Sequence, residues 1–271
     1  MNMKNILLPL LFVLSAIILG SCTKVIDVKL KDADKKYVVE GMVTDQPGSG
    51  KIILSQTKNF SDNNAPGMVS GAVVTITDNN TGTVTAMTET TPGNYTDATL
   101  TGISGHTYAL RITTGGSTFT SVSTMPVNVH LDTLYMTNEN VFGSNWNLAN
   151  IEFRDPAGTG NCYRARQFVN GKKSKDIFIT NDDYTDGKLM FAKLYMDPGG
   201  DDENKIKSGD AVTVEMTCID PSVYKYWFSL QQSATGNSQS AAPANPVTNI
   251  EGGALGYFSA HTLQSRSVTT P

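Results

Sequence analysis

Cysteine and histidine are scarce in this chain. Its 271 residues hold 3 cysteines, 3 histidines and 2 tryptophans, and only 17% of them are charged. Each shortage excludes something. No two cysteines have the CxxC spacing of a zinc knuckle or redox pair. His106, His130 and His261 stand far apart in sequence, so no HExxH helix exists, and the GxSxG, Walker A and dinucleotide fingerprints are missing too. No run of Lys or Arg breaks a net charge of −4, which argues against a nucleic-acid footprint. Helical periodicity is confined to one stretch. The chain therefore reads as a non-enzymatic protein built mainly of strands.

What is present begins at the N-terminus. Lys4 supplies a positive start, and Ile6 to Leu19 is an apolar run of 14 residues. A membrane helix needs ~20 apolar residues, so this run is too short to span and fits a signal peptide over residues 1–21. Leu19-Gly20-Ser21-Cys22 closes it and resembles the lipobox of bacterial lipoproteins. That resemblance implies cleavage before Cys22 and acylation of its thiol and new amine with diacylglycerol and a fatty acid such as palmitate. Stable anchoring takes more than one acyl chain, at about 0.8 kcal/mol per buried CH₂. Removing residues 1–21 takes away Lys4 and no acid, which shifts the net charge from −4 to −5. Residues 22–36 read as a lipidated, lysine-bearing tether. Its reach is at most ~50 Å at ~3.3–3.6 Å per residue, so a partner is expected at the membrane.

From Tyr37 onward, short alternating segments rich in Thr, Val and Ser are separated by turn residues, the pattern of an all-β fold. Residues 37–126 carry about seven such segments, enough for one immunoglobulin- or transthyretin-like sandwich. Asp78-Asn79-Asn80-Thr81-Gly82 and Thr114-Gly115-Gly116-Ser117 are hairpin turns in it. Val127 to Leu131 reads as a crossover. Residues 127–271 form a second β-rich domain, with strands at Asn150 to Arg154, Tyr163 to Val169, Lys175 to Thr180, Leu189 to Tyr195, Ala211 to Ile219 and Phe258 to Val268. Its one helix lies near 221–232. Asp220 caps it, Pro221 takes the first helical position, and Val223, Trp227 and Leu230 recur at helical spacing. The fold class is thus mainly β: two β-rich domains, the second with one packed helix.

Several runs resemble their counterparts in a known family over nearly the whole length. They include Ser21-Cys22-Thr23-Lys24-Val25-Ile26-Asp27, Tyr37-Val38-Val39-Glu40-Gly41, Gly105-His106-Thr107-Tyr108-Ala109-Leu110 and Tyr226-Trp227. The most specific is the stretch from Asn245 to Phe258, Asn-Pro-Val-Thr-Asn-Ile-Glu-Gly-Gly-Ala-Leu-Gly-Tyr-Phe. The chain is similar to a family of Bacteroidetes lipoproteins classed only as a domain of unknown function. The resemblance implies an outer-membrane lipoprotein, on the surface or the periplasmic face, often encoded beside TonB-dependent receptors. It carries over no catalytic residues. The leading expectation is a binding or accessory component beside such a transporter. A structural or adhesive surface protein is the alternative, and an envelope hydrolase ranks below both.

Candidate site residues follow from chemistry. Trp146, flanked by Asn145 and Asn147 in what reads as a polar loop, is a candidate stacking platform for a sugar or a partner protein, with packing in the core as the competing reading. Tyr257 and Phe258, after the glycines from 252 to 256, are a candidate docking surface, although those glycines also suit turns with positive φ. Asp197, Asp201, Asp202 and Glu203 bunch their carboxylates as hard ligands suit Ca²⁺, but without EF-hand spacing, so a solvated hairpin tip is the competing reading. The loop Asn181 to Gly187 reads the same way. Asp132-Thr133-Leu134 resembles a short O-glycosylation motif, with Thr133 as acceptor. An oxidising envelope permits a Cys162–Cys218 bridge, but strand parity sets them apart. Cys218 shares the apolar face of Val212, Val214 and Met216, and Cys162 the face of Arg164 and Arg166.

Overall fold

Alternation decides the architecture. In β8 (Thr107–Thr114) the buried residues are Tyr108, Leu110 and Ile112, every second position, with Ala109 and Arg111 between them. That period puts one row into a core and one row into solvent. The computed structural model describes residues 34–59, 67–141, 143–196, 205–234 and 244–271. The signal peptide, most of the tether and Cys22 lie outside the described residues, as do Asp197, Asp201, Asp202 and Glu203. The secondary structure belongs to one compact unit of residues 35–58 and 62–271.

The first half supplies β1 (Tyr37–Thr44), β2 (Gly50–Gln56), β3 (Gly67–Met68), β4 (Val73–Asp78), β5 (Thr83–Ala86), β6 (Thr88–Thr91), β7 (Asn94–Asp97), β8 and β9 (Ser117–Thr124). The second supplies β10 (Leu131–Val141), β11 (Ser144–Arg154), β12 (Cys162–Val169), β13 (Lys172–Lys173), β14 (Phe178–Asn181), β15 (Leu189–Leu194), β16 (Ala211–Ile219), α1 (Pro221–Ala234) and β17 (Leu255–Thr269). They pair into a long sheet of order β13-β12-β16-β17-β1-β2-β7-β6, with β14 also on β12 and β3 on β2, plus a sheet β5-β4-β8-β9 and a sheet β10-β11-β15. Both expected hairpins form: Gly82 at φ 74° closes β4–β5, and Gly115 and Gly116 at 53° and 77° close β8–β9.

Two sandwiches result. Val39, Ile52, Leu54 and Phe258 of the long sheet meet Ile76, Leu110 and Phe119 of the four-stranded sheet in one core. Tyr163, Val214 and Met216 meet Ile151, Phe153 and Leu194 of the three-stranded sheet in another. The blocks drawn at 37–126 and 127–271 share a strand. β17 runs parallel to β1 over Leu255–His261, then antiparallel to β16 from Thr262 to Thr269. Gly256 makes this seam possible. Its φ is 98°, and a Cβ there would stand 1.9 Å from the Val39 carbonyl oxygen, so only glycine fits.

The helix begins where expected and ends two residues later than the sequence pattern marks, at Ala234. Asp220 Oδ1 accepts hydrogen bonds from the Ser222 and Val223 amides at 2.8 and 3.0 Å, a side-chain N-cap. Its other oxygen accepts from the Ser123 hydroxyl of β9, which itself accepts from the Ala260 amide at 2.8 Å. The cap therefore ties the helix start to both β9 and β17. Val223 is fully buried against Cys162 and Ile219, with Tyr224 and Trp227 beside them. The hairpin β10–β11 is the main departure from the sequence reading, which begins its first strand in this region only at Asn150. Thr and Asn fill much of it, so its apolar alternation is faint.

Candidate functional site

The structure disperses the residues that the sequence nominates. Trp146 sits in β11, not in a loop. It is opposite Glu139 of β10, is 8% exposed, and has the Lys205 ammonium 4.9 Å from its ring centroid. Asn145 and Asn147 flank it, but strand alternation points them to the other face, so their polarity does not expose Trp146. Phe258 is completely buried in the first core and offers no docking surface. Tyr257 faces the opposite side, against Tyr226 at 4.8 Å and Trp227 at 5.1 Å. Gly252 and Gly253 lead into β17 at φ 92° and 90°, which is the turn role those glycines suit. Thr133 is exposed on β10 beside a register shift, accessible to a modifying enzyme. Cys162 and Cys218 are both buried free thiols. Cys162 pairs with Ile219 and Tyr163 with Cys218, which sends the two thiols to opposite faces of the sheet. Burial pushes the Cys162 thiol up to about 12, with Asp182 adding to the effect.

The histidines stay apart in role. His106 Nδ1 meets the Asp78 carboxylate at 2.8 Å in a turn, and His130 is exposed. His261 is buried on β17, its Nδ1 2.9 Å from the Ser259 hydroxyl. Burial holds its imidazole neutral, down to about 3, with Arg166 and Arg164 reinforcing the shift. Those arginines lie on the sheet face that α1 covers. The Arg164 guanidinium carbon stacks 3.6 Å from the Trp227 ring centroid, and Arg166 pairs with Glu215 at 2.7 Å. Burial lowers Arg164 to about 10. This cationic and aromatic layer fastens the helix to the sheet.

Chemistry converges instead around residues 182–188, the loop that links β14 to β15. Asp182, fully buried, accepts from the Gly160 amide at 3.0 Å and from both nitrogens of Asn161 at 3.1 Å. Asp155 accepts from the Tyr163 hydroxyl and, at 3.0 Å, from the Gly187 amide. Asp186 accepts from the Gly158 amide at 2.7 Å. One carboxylate oxygen from each of Asp155, Asp182 and Asp186 lies within 4.8 Å of the others. Such oxygens suit a hard divalent cation, yet each carboxylate already binds backbone or side-chain donors that pin the two loops together. Asp182 is thus not at a solvated tip, as the sequence suggests for this loop. Burial, then the Asp155 bond, raises the Tyr163 phenol well above its usual range.

Beside this loop two hollows of about 160 and 380 Å³ adjoin at Thr180. The first is lined by residues 177–180 on one side and 192–194 on the other, over a floor that includes Phe153 and Met216. The second continues past Asn181 and residues 189–191. Successive strand residues point to opposite faces. A hollow that touches consecutive residues of both strands therefore faces their backbone edges. Among the described residues, β14 is paired with β12 alone in this sheet and β15 with β11 alone. The result is a slot between two open strand edges, with an apolar floor. Tyr184 at 92% and Phe191 at 65% exposure stand at its outer rim. Sequence reasoning misses this site because it arises from pairing; its one local trace is the alternation of Leu189, Phe191 and Tyr195 toward solvent.

Residues 23–267 match the model of a domain of unknown function, DUF4249. No curated protein matches the chain. Among solved structures, a two-domain fibronectin type III segment of chicken tenascin is similar at a TM-score of 0.27 and 12% identity, over 88% of this chain and 100% of that one.

Proposed function

We propose, for a chain that belongs to the DUF4249 family of unknown function, a non-enzymatic binding role as an accessory lipoprotein of the outer membrane. In this reading the chain, of Bacteroidetes type, is anchored through acylated Cys22 and works beside a TonB-dependent transporter. The observation that carries the binding role is the slot between β14 and β15, which offers open backbone groups, an apolar floor and exposed aromatic rims. Those are the features of a recognition surface. The lipobox-like run before Cys22 supports the anchor. Affinity capture of the native protein from solubilised outer membranes tests the reading. Co-purification of a transporter barrel is expected, and recovery of the lipoprotein alone refutes the partnership. Loss of the membrane fraction in a Cys22→Ala strain is expected as well.

A second reading is an adhesive surface protein. The outward face of the sheet β5-β4-β8-β9 favours it, because Val73, Val84 and Val122 there are 67%, 62% and 54% exposed. Arg111 is the lone charge among its outward rows Val84-Thr77-Ala109-Val122 and Ala86-Thr75-Arg111-Thr120. Cell binding to glycans or matrix proteins, abolished by Cys22→Ala, distinguishes this reading from the first.

A further inference from the structure

We infer that the slot between β14 and β15 receives an extended segment of a partner protein, which inserts as a strand between the two edges. The segment is about four to six residues long, to match strands that advance ~3.3 Å per residue. It alternates apolar and uncharged polar side chains.

The argument starts from the backbone. β14 spans Phe178–Asn181 and β15 spans Leu189–Leu194, and each has one hydrogen-bonded neighbour among the described residues. An unpaired edge is a template for another strand. Here two such edges border one slot, so a single inserted strand satisfies both. It would join the sheet β10-β11-β15 to β14, β12 and the rest of the long sheet. Strand addition of this kind draws affinity from main-chain hydrogen bonds and specificity from pockets that take alternate side chains.

The side-chain pockets fit that division. The smaller hollow, about 160 Å³, has Phe153, Ala165, Leu194 and Met216 among its lining residues. An apolar cavity of ~150 Å³ holds a benzene-sized group. One large aliphatic or aromatic side chain of the segment fills it. The larger hollow, about 380 Å³, reaches the rim where Tyr184 and Phe191 are exposed, and it takes the next inward residue. Two cations line the first hollow, and both are engaged. Lys193 is held by Glu139 at 2.7 Å, and the Arg164 guanidinium stacks 3.6 Å from the Trp227 ring centroid, so the segment needs no acid to meet them.

The inference deepens the binding role and rests on it only for where the partner is found. Its test therefore uses the purified full chain in detergent and no transporter. The probe is an acetylated, amidated Val-Thr-Phe-Thr-Val peptide flanked by lysines. Amide hydrogen exchange across residues 178–181 and 189–194 is read with and without it. The expected result is exchange about tenfold slower in both strands, since their outward amides gain partners. Two N-methylated peptides sharpen the reading, one blocked on each edge. Both are expected to bind about tenfold more weakly or worse, because insertion uses hydrogen bonds on both sides. Tolerance of one N-methylated peptide overturns insertion in favour of one-edge addition. Protection of both strands without peptide, rising with protein concentration, overturns it in favour of a second copy of this chain. Absence of protection at saturating peptide overturns it outright. So does protection confined to other strands. A failed transporter capture leaves all of these outcomes unaffected.

Discussion

Replacing Asp220 with alanine is expected to destabilise the fold by about 2–3 kcal/mol. The figure has two parts. Asp220 Oδ1 accepts the Ser222 and Val223 amides at the start of α1, and loss of such a cap costs about 1–2 kcal/mol. Its Oδ2 accepts the Ser123 hydroxyl, which is 2% exposed; a buried hydroxyl that loses its acceptor adds about 1 kcal/mol. Urea unfolding is the assay. With a slope of about 2–3 kcal/mol per molar, the midpoint should fall by about 1 M. Asp220→Asn keeps an acceptor for the two amides but none for the Ser123 hydroxyl, and should cost about 1 kcal/mol. The double variant with Ser123→Ala isolates the link between helix and β9. Its coupling energy is expected at about 1–2 kcal/mol, the range for residues in one hydrogen-bond network. A midpoint unchanged within about 0.2 M in Asp220→Ala refutes the cap at the values used here. Coupling near zero refutes the link between the two elements.

Three further outcomes are expected. His261 titrates at about 3 in the folded chain because burial disfavours its cation, so the stability it contributes is full above its unfolded value near 6.5 and is lost as pH falls toward 3. That slope is about 1.4 kcal/mol per pH unit; urea midpoints at pH 7 and 4.5 should differ by less in His261→Gln than in the wild type, and equal differences refute the reading. Cys162 and Cys218 are buried with raised thiol values, so Ellman's reagent should modify neither in the folded chain and both in denaturant; fast labelling of the native protein counts against the burial. Gly256→Ala must place a Cβ 1.9 Å from the Val39 oxygen at φ 98° and should cost about 3 kcal/mol or more. Gly71→Ala, at φ 76° with nothing within 4 Å, should cost about 1 kcal/mol, and equal thermal midpoints for the two variants sink the steric argument.

How much of this was legible depended on whether the signal was local. Tyr108, Leu110 and Ile112 announce their strand because each buried residue is two positions from the next. Asp220, Pro221 and Val223 announce the helix because capping acts across three residues. Trp146 misled because its neighbours Asn145 and Asn147 are polar, while the residue opposite it belongs to another strand. Phe258 misled because the glycines before it suggest an exposed turn, whereas β17 enters the first core within a few residues. The acidic trio was half visible: Asp182 and Asp186 share a loop, but Asp155 comes from the end of β11 and no spacing rule connects them.

The slot was invisible for the same reason, and its position follows from β17. That strand gives its first half to β1 and its second to β16, so the long sheet runs unbroken through both cores. Continuity ends on the far side of the second core. There, among the described residues, β12 carries only the short β13 and β14 on its outer edge, at 2 and 4 residues, and the sheet β10-β11-β15 ends on β15. Exposed edges are costly to leave open, since they invite association, and short strands are one way to blunt them. β14 fits that rule. β15 does not: it is 6 residues long, and Leu189, Phe191 and Tyr195 show apolar surface beside it. A blunted edge facing a longer, sticky one makes a poor template for open-ended aggregation. It suits a site whose occupant must satisfy both sides at once, and that requirement is what the paired N-methylated peptides measure.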